Sequence, residues 1–152
     1  MAPPSPADAA RMLAEVDAAR TDMARRAVAP VWYHPALGLL IGGLVAVQGQ
    51  SLWIIGPYYV VFLLGLMGLV HAYRAHTGVW INGYRKGRTM VVAVGLAALV
   101  TTIMLGSVWL SRERGLAVAP VIGGLLVALL TTAGGFVWEM AYRRDLRDGK
   151  PL

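Results

Sequence analysis

The stretch MVVAVGLAALVTTIMLGSVWL (90–110) runs for twenty-one residues without an Asp, Glu, Lys or Arg. The hydrocarbon core of a bilayer, about 30 Å thick, needs about 20 residues of apolar helix. This segment therefore reads as a membrane span, and the rest of the chain is read outward from it. A second comfortable span, LAVAPVIGGLLVALLTTAGGFVW, follows at 116–138. Two shorter ones precede it, at 35–52 and 57–73, the first interrupted near its end by Gln48 and Gln50. The expected fold is all-α: an antiparallel four-helix transmembrane bundle.

Composition agrees. The chain has 152 residues, of which 57% are hydrophobic and 14% charged, with a mean hydropathy of +0.60. Soluble domains carry roughly 25% charged residues, so an ordinary water-soluble globule is excluded. There is no cysteine, which excludes a disulfide, a thiolate nucleophile, cysteine-ligated zinc and an iron–sulfur cluster.

The net charge of +6 is distributed as a topology record and not as a nucleic-acid footprint. Arg11, Arg20, Arg25 and Arg26 precede the first span; Arg74, Arg85, Lys86 and Arg88 lie between the second and third. Arg143, Arg144, Arg147 and Lys150 follow the fourth, whereas the first outer loop has no charge and the second only Arg112, Glu113 and Arg114. Basic residues stay cytoplasmic, so both termini and the middle loop are expected inside. Trp32, Tyr33, Tyr73, Trp80, Trp138 and Tyr142 would mark the inner headgroup level, and Trp53, Tyr58, Tyr59 and Trp109 the outer one. No signal peptide is expected, because the first apolar run starts beyond residue 30. Twelve of the fourteen basic residues are Arg, a bias expected of a GC-rich bacterial genome, and the plasma membrane is the expected location.

Three regions result: an N-terminal helix (1–30), a transmembrane domain (31–142) and a basic cytoplasmic tail (143–152). Ser5, Pro6 and Asp8 form a helix start. Met12, Val16, Ala19 and Met23 then give a weak apolar stripe for an amphipathic helix lying on the membrane or on a partner. Arg85, Lys86 and Arg88, crowded before the third span, are the residues expected to bind anionic lipid headgroups.

Small residues at helical spacing drive association in lipid, and each span has such a seam. Gly38, Gly42 and Ala46 form the first, Gly65, Gly68 and Ala72 the second. Gly95, Ala98, Thr102 and Gly106 form the third, and Gly124, Ala128, Thr131 and Gly135 the fourth. Extending three of these seams by one turn reaches His34, His71 and Glu139, all at the cytoplasmic depth. Ionisable groups at such positions tend to face a bundle interior or cavity. Converging, they offer a divalent-metal site, an axial haem pair or a polar pocket for a lipid or quinone headgroup. Taken singly, they are interfacial anchors, with Glu139 paired to Arg143 one turn on.

No ionisable residue lies mid-span, as a coupled pump would need. Thr101, Thr102, Thr131, Thr132 and Ser107 are the polar groups available to a pore. No Walker or dinucleotide glycine pattern occurs, and no nucleophile–base pair stands out, so an enzyme is the lesser expectation. No metal or other cofactor is required by the sequence. The windows 95–109 and 124–138 match at six of fifteen positions, a similarity expected from shared apolar composition, with a repeat about a two-fold axis in the membrane plane as the alternative.

The basic helix before WYHPALG (32–38) and the loop TGVWINGYRKGR (77–88) resemble small four-span membrane proteins of high-GC actinobacteria, many of unassigned function. The resemblance implies the fold and carries no site residues. The first expectation for function is a non-catalytic membrane protein acting by helix association, as a homo-oligomer or as an accessory or regulatory subunit of a larger membrane complex. A small-molecule channel or transporter, or a protein binding a lipid, quinone, haem or metal, is the alternative. Membrane lipid is the expected partner, and nucleic acid is not.

Overall fold

The computed structural model describes residues 5–26, 29–78 and 88–147. Among the described residues every regular element is a helix: α1 Pro6–Arg26, α2 Tyr33–Ala46, a 3₁₀ turn Val47–Gly49, α3 Leu52–Thr77, α4 Arg88–Glu113 and α5 Ala119–Arg147. Three of them, α3, α4 and α5, are long and apolar enough to cross a membrane. With fourteen residues, α2 is shorter, about 21 Å at 1.5 Å per residue.

Boundaries depart from expectation where local chemistry outweighs hydropathy. Gln48 falls in the 3₁₀ turn, where its side-chain amide donates to the Leu44 carbonyl at 3.1 Å. The next helix begins at Leu52 and not at Pro57. Pro57 sits in the second turn, where it gives up the bond to the Trp53 carbonyl and its ring crowds that group, and α3 carries it within the helix. Downstream, α5 continues past residue 142, and the basic tail begins as the last turn of that helix.

Helix ends are set by glycine. Gly78 adopts φ 69° after α3 and its N–H bonds back to the Arg74 carbonyl at 2.9 Å. Gly115 adopts φ 67° after α4, and the Leu116 N–H reaches the Leu110 carbonyl six residues back at 3.2 Å. That is the left-handed capping geometry that only glycine takes without cost. At the other end of the chain the Ser5 hydroxyl accepts the Asp8 N–H at 3.2 Å and starts α1.

The principal contact is between α2 and α5; α3 packs on α2, and α4 packs on α5. The α2–α5 seam is antiparallel and nearly side-chain-free. A Cβ on Gly38 would meet the Ala128 carbonyl oxygen at 2.5 Å, and one on Gly124 would meet the Gly42 carbonyl oxygen at 2.5 Å. Further along, Gly42 faces Gly124 and Ala128, and Gly135 lies under the His34 ring. Backbones approach this closely only where Cβ atoms are missing.

The other seams behave differently. Gly65 sits against Leu40 of α2, but Gly68 has no neighbouring atom within 4 Å. The α4 stripe of Gly95, Ala98, Thr102 and Gly106 faces outward; α4 meets α5 through Leu96 on Gly134 and Ser107 on Gly123 instead. On α1, the Met12 and Val16 side chains are exposed, and the helix leans on α5. Arg85, Lys86 and the side chain of Arg88 lie outside the described residues.

Candidate functional site

Because α3 and α4 flank a central α2–α5 pair, the bundle leaves a cleft on one side. It encloses about 490 Å³ between α2, α4 and α5, with Tyr73 of α3 at one end. Much of its wall is apolar: Leu37 and Ile41 from α2, and Val92, Leu96 and Val100 from α4. The polar end holds His34, Glu139, Tyr33, Tyr73 and Trp138.

His34 and Glu139 are both buried, at 5% and 8% exposure. His34 Nε2 lies 3.3 Å from Glu139 Oε2. The other carboxylate oxygen, Oε1, accepts a 2.6 Å hydrogen bond from Arg143, one turn along α5. A carboxylate removed from water needs such partners, and Arg143 keeps 42% of its side chain exposed. Glu139 thus stands between a buried imidazole and a guanidinium that reaches the surface. The interfacial pairing to Arg143 and the contact with a second helix are both present on one carboxylate.

Aromatic rings wall the imidazole. Phe136 meets it edge-on at 4.9 Å and Tyr33 at 5.5 Å, while Tyr33 and Tyr73 lie 5.2 Å apart. Trp138 stacks on Tyr142 with an interplanar angle of 3°. Gly135 makes the space, since any Cβ there would collide with the ring of His34.

His71 does not join this group. It is exposed on α3 and is not part of the cleft wall; Tyr73, 7% exposed, takes the place at the cleft's end. The expectation extended a small-residue seam from Gly68, and Gly68 points away from the bundle. With His34 inside and His71 outside, the two imidazoles do not face each other as axial ligands would. Among the described residues no three His, Asp or Glu side chains gather, and Arg143 already occupies one oxygen of Glu139.

The sequence offers Thr131 as one of several polar groups along the spans, and the structure sets it apart from the others. Thr77, Thr101, Thr102 and Thr132 each donate to the carbonyl one turn back, the usual resting place of a threonine in such helices. Thr131 is 4% exposed and lines the cleft, and its hydroxyl has no partner. Trp138 Nε1 is likewise buried and unpaired. Buried polar atoms are rarely left so, and no periodicity signals which threonine will be the exception.

Comparison of the chain with protein-family models, curated proteins and solved structures finds no match. The site is therefore interpreted from its own chemistry.

Proposed function

We propose that this chain is a four-pass protein of a bacterial plasma membrane that binds a small amphiphilic molecule in the α2–α4–α5 cleft. In this reading α2 and its 3₁₀ turn, together about 27 Å long, form the first pass. The termini and the middle loop face the cytoplasm, and the molecule's polar end meets His34 and Glu139. The observation that carries the reading is one buried ionisable couple at the polar end of a mainly apolar cleft. Small-molecule sites combine an apolar wall with few oriented polar groups in this way, in volumes of about 300–1,000 Å³.

Native mass spectrometry of protein released from native-lipid nanodiscs tests it. A recurring added mass is expected on the wild type. Ala97→Phe, which fills the cleft, should remove it, and Leu125→Phe, on an exposed face, should not. No adduct, or one indifferent to Ala97→Phe, defeats the proposal.

Self-association is a second reading, favoured by the outward stripe of Gly95, Ala98, Thr102 and Gly106 on α4. Gly95 and Gly106 have no atom within 4 Å in the protomer, although stripes of this kind bring helices together in lipid. Gly95→Leu with Gly106→Leu should abolish crosslinked dimers in membranes; dimers that persist remove this face from consideration.

A further inference from the structure

Resting on the amphiphile-binding reading, we infer that the molecule held in the cleft is a lipid-soluble quinone: a flat, uncharged ring with oxygen acceptors at opposite edges and one hydrocarbon tail. Three independent features of the cleft point to that class.

The first is charge. Glu139 is the one formally charged side chain on the cleft wall, and Arg143 already engages it. An anionic phosphate head placed there would face the Glu139 carboxylate, and Arg143, although its Nε is unpaired, is not a wall residue, so desolvation would go uncompensated. A cationic head would have to displace the 2.6 Å contact with Arg143. The cleft favours a neutral head.

The second is the pair of unmet donors. Besides His34 Nδ1, whose role follows its tautomer, two wall atoms lack a partner: Thr131 Oγ1 and Trp138 Nε1. They come from one helix, seven residues apart, so they share a face to within about 20° and their Cα atoms are separated by about 10.5 Å along the axis. The indole N–H can only donate. A ligand satisfying both must carry acceptors at two separated points, with a body that fits between them. A glycerol or fatty-alcohol head gathers its oxygens at one end and satisfies one donor at most.

The third is shape. Tyr33, Tyr73 and Trp138 supply aromatic faces at the polar end, beside the His34 ring. Aromatic rings prefer offset or edge contacts with other rings, which a planar head provides. A volume of about 490 Å³ accommodates one ring and the start of one tail along Leu96 and Val100. Two acyl chains would not fit.

Photolabelling in phosphatidylcholine nanodiscs tests the inference, with a decyl-tailed 1,4-benzoquinone bearing a diazirine on the tail. Labelling should map to α4 and α5 residues of the cleft. Unlabelled decylbenzoquinone should suppress it, whereas monoolein and phosphatidylglycerol at equal membrane concentration should not. Thr131→Val should weaken competition about fivefold, the effect of one lost hydrogen bond of about 1 kcal/mol, and Thr131→Ser should restore it. Suppression by monoolein and not by the quinone overturns the quinone assignment and leaves the amphiphile reading standing. Suppression by phosphatidylglycerol overturns it in favour of an anionic head. Labelling scattered over all helices, with no competitor effective, overturns both.

Discussion

At the scale of single residues, the cleft depends on an exchange of space between Gly135 and His34. The imidazole occupies the volume that a Cβ on Gly135 would take. Gly135→Ala is therefore expected to push the ring off Glu139 and to cost about 1–3 kcal/mol, as overpacking generally does. The couple itself is separable from its surroundings by a double-mutant cycle. His34→Ala and Glu139→Ala should be non-additive by about 1–2 kcal/mol in detergent unfolding, within the range for touching residues. His71→Ala combined with Glu139→Ala should be additive. A cycle that couples His71 to Glu139 would contradict the placement of His71 outside the cleft. His34 and Glu139 were legible in sequence because each extends a seam that is buried. His71 extends one that is not, and spacing along a chain gives the face of a helix without saying what lies opposite. Tyr73 was visible only as an interfacial aromatic, since nothing in a tyrosine's neighbours distinguishes a headgroup anchor from a cavity wall.

At the scale of helices, four glycine seams look alike in sequence and act differently in the fold. Those of α2 and α5 are consumed against each other, so that carbonyl oxygens of one backbone lie where Cβ atoms of the other would be. Gly42→Val and Gly124→Val should each force the helices apart and unfold the protein in mild detergent, because backbone, unlike a flexible side chain, does not yield. Gly68, by contrast, meets nothing. Gly68→Ala should be neutral or stabilising by up to about 1 kcal/mol, the gain of alanine over glycine in a helix. Measuring both by thermal unfolding checks the packing order directly: similar losses at Gly42 and Gly68 would mean that α3 and α5 compete for the same face of α2. The apolar character of the helices was readable from hydropathy, whereas their lengths were not, α3 running over Leu52–Thr77 where hydropathy gave 57–73. Nor were their neighbours, since any apolar face satisfies lipid as well as protein and burial leaves no compositional mark.

At the scale of the whole molecule, His34 at the start of α2, Tyr73 near the end of α3, Val92 near the start of α4 and Glu139 near the end of α5 all line one cleft. Four successive helices contribute alternate ends, as antiparallel helices require. The polar end of the cleft is thus also the end that carries the N-terminal helix, the end of α3 and the start of α4. Orientation then decides which aqueous phase reaches Arg143, whose exposed guanidinium bonds Glu139. The absence of cysteine makes the orientation measurable without background. Single thiols introduced by Ser51→Cys and Arg114→Cys, both at the opposite end, should react with a membrane-impermeant maleimide in intact cells. Asn82→Cys and Arg144→Cys should react only after permeabilisation. The reverse pattern would turn the positive-inside assignment over and place the His34–Glu139 end toward the outside. Labelling of Ser51→Cys from one side and Arg114→Cys from the other would mean that α3 or α4 does not cross. A thiol at Ser5→Cys, ahead of α2, that reacts from the same side as Ser51→Cys would mean that α2 and its 3₁₀ turn do not cross. The cleft would then open onto an interface and not onto the bilayer interior.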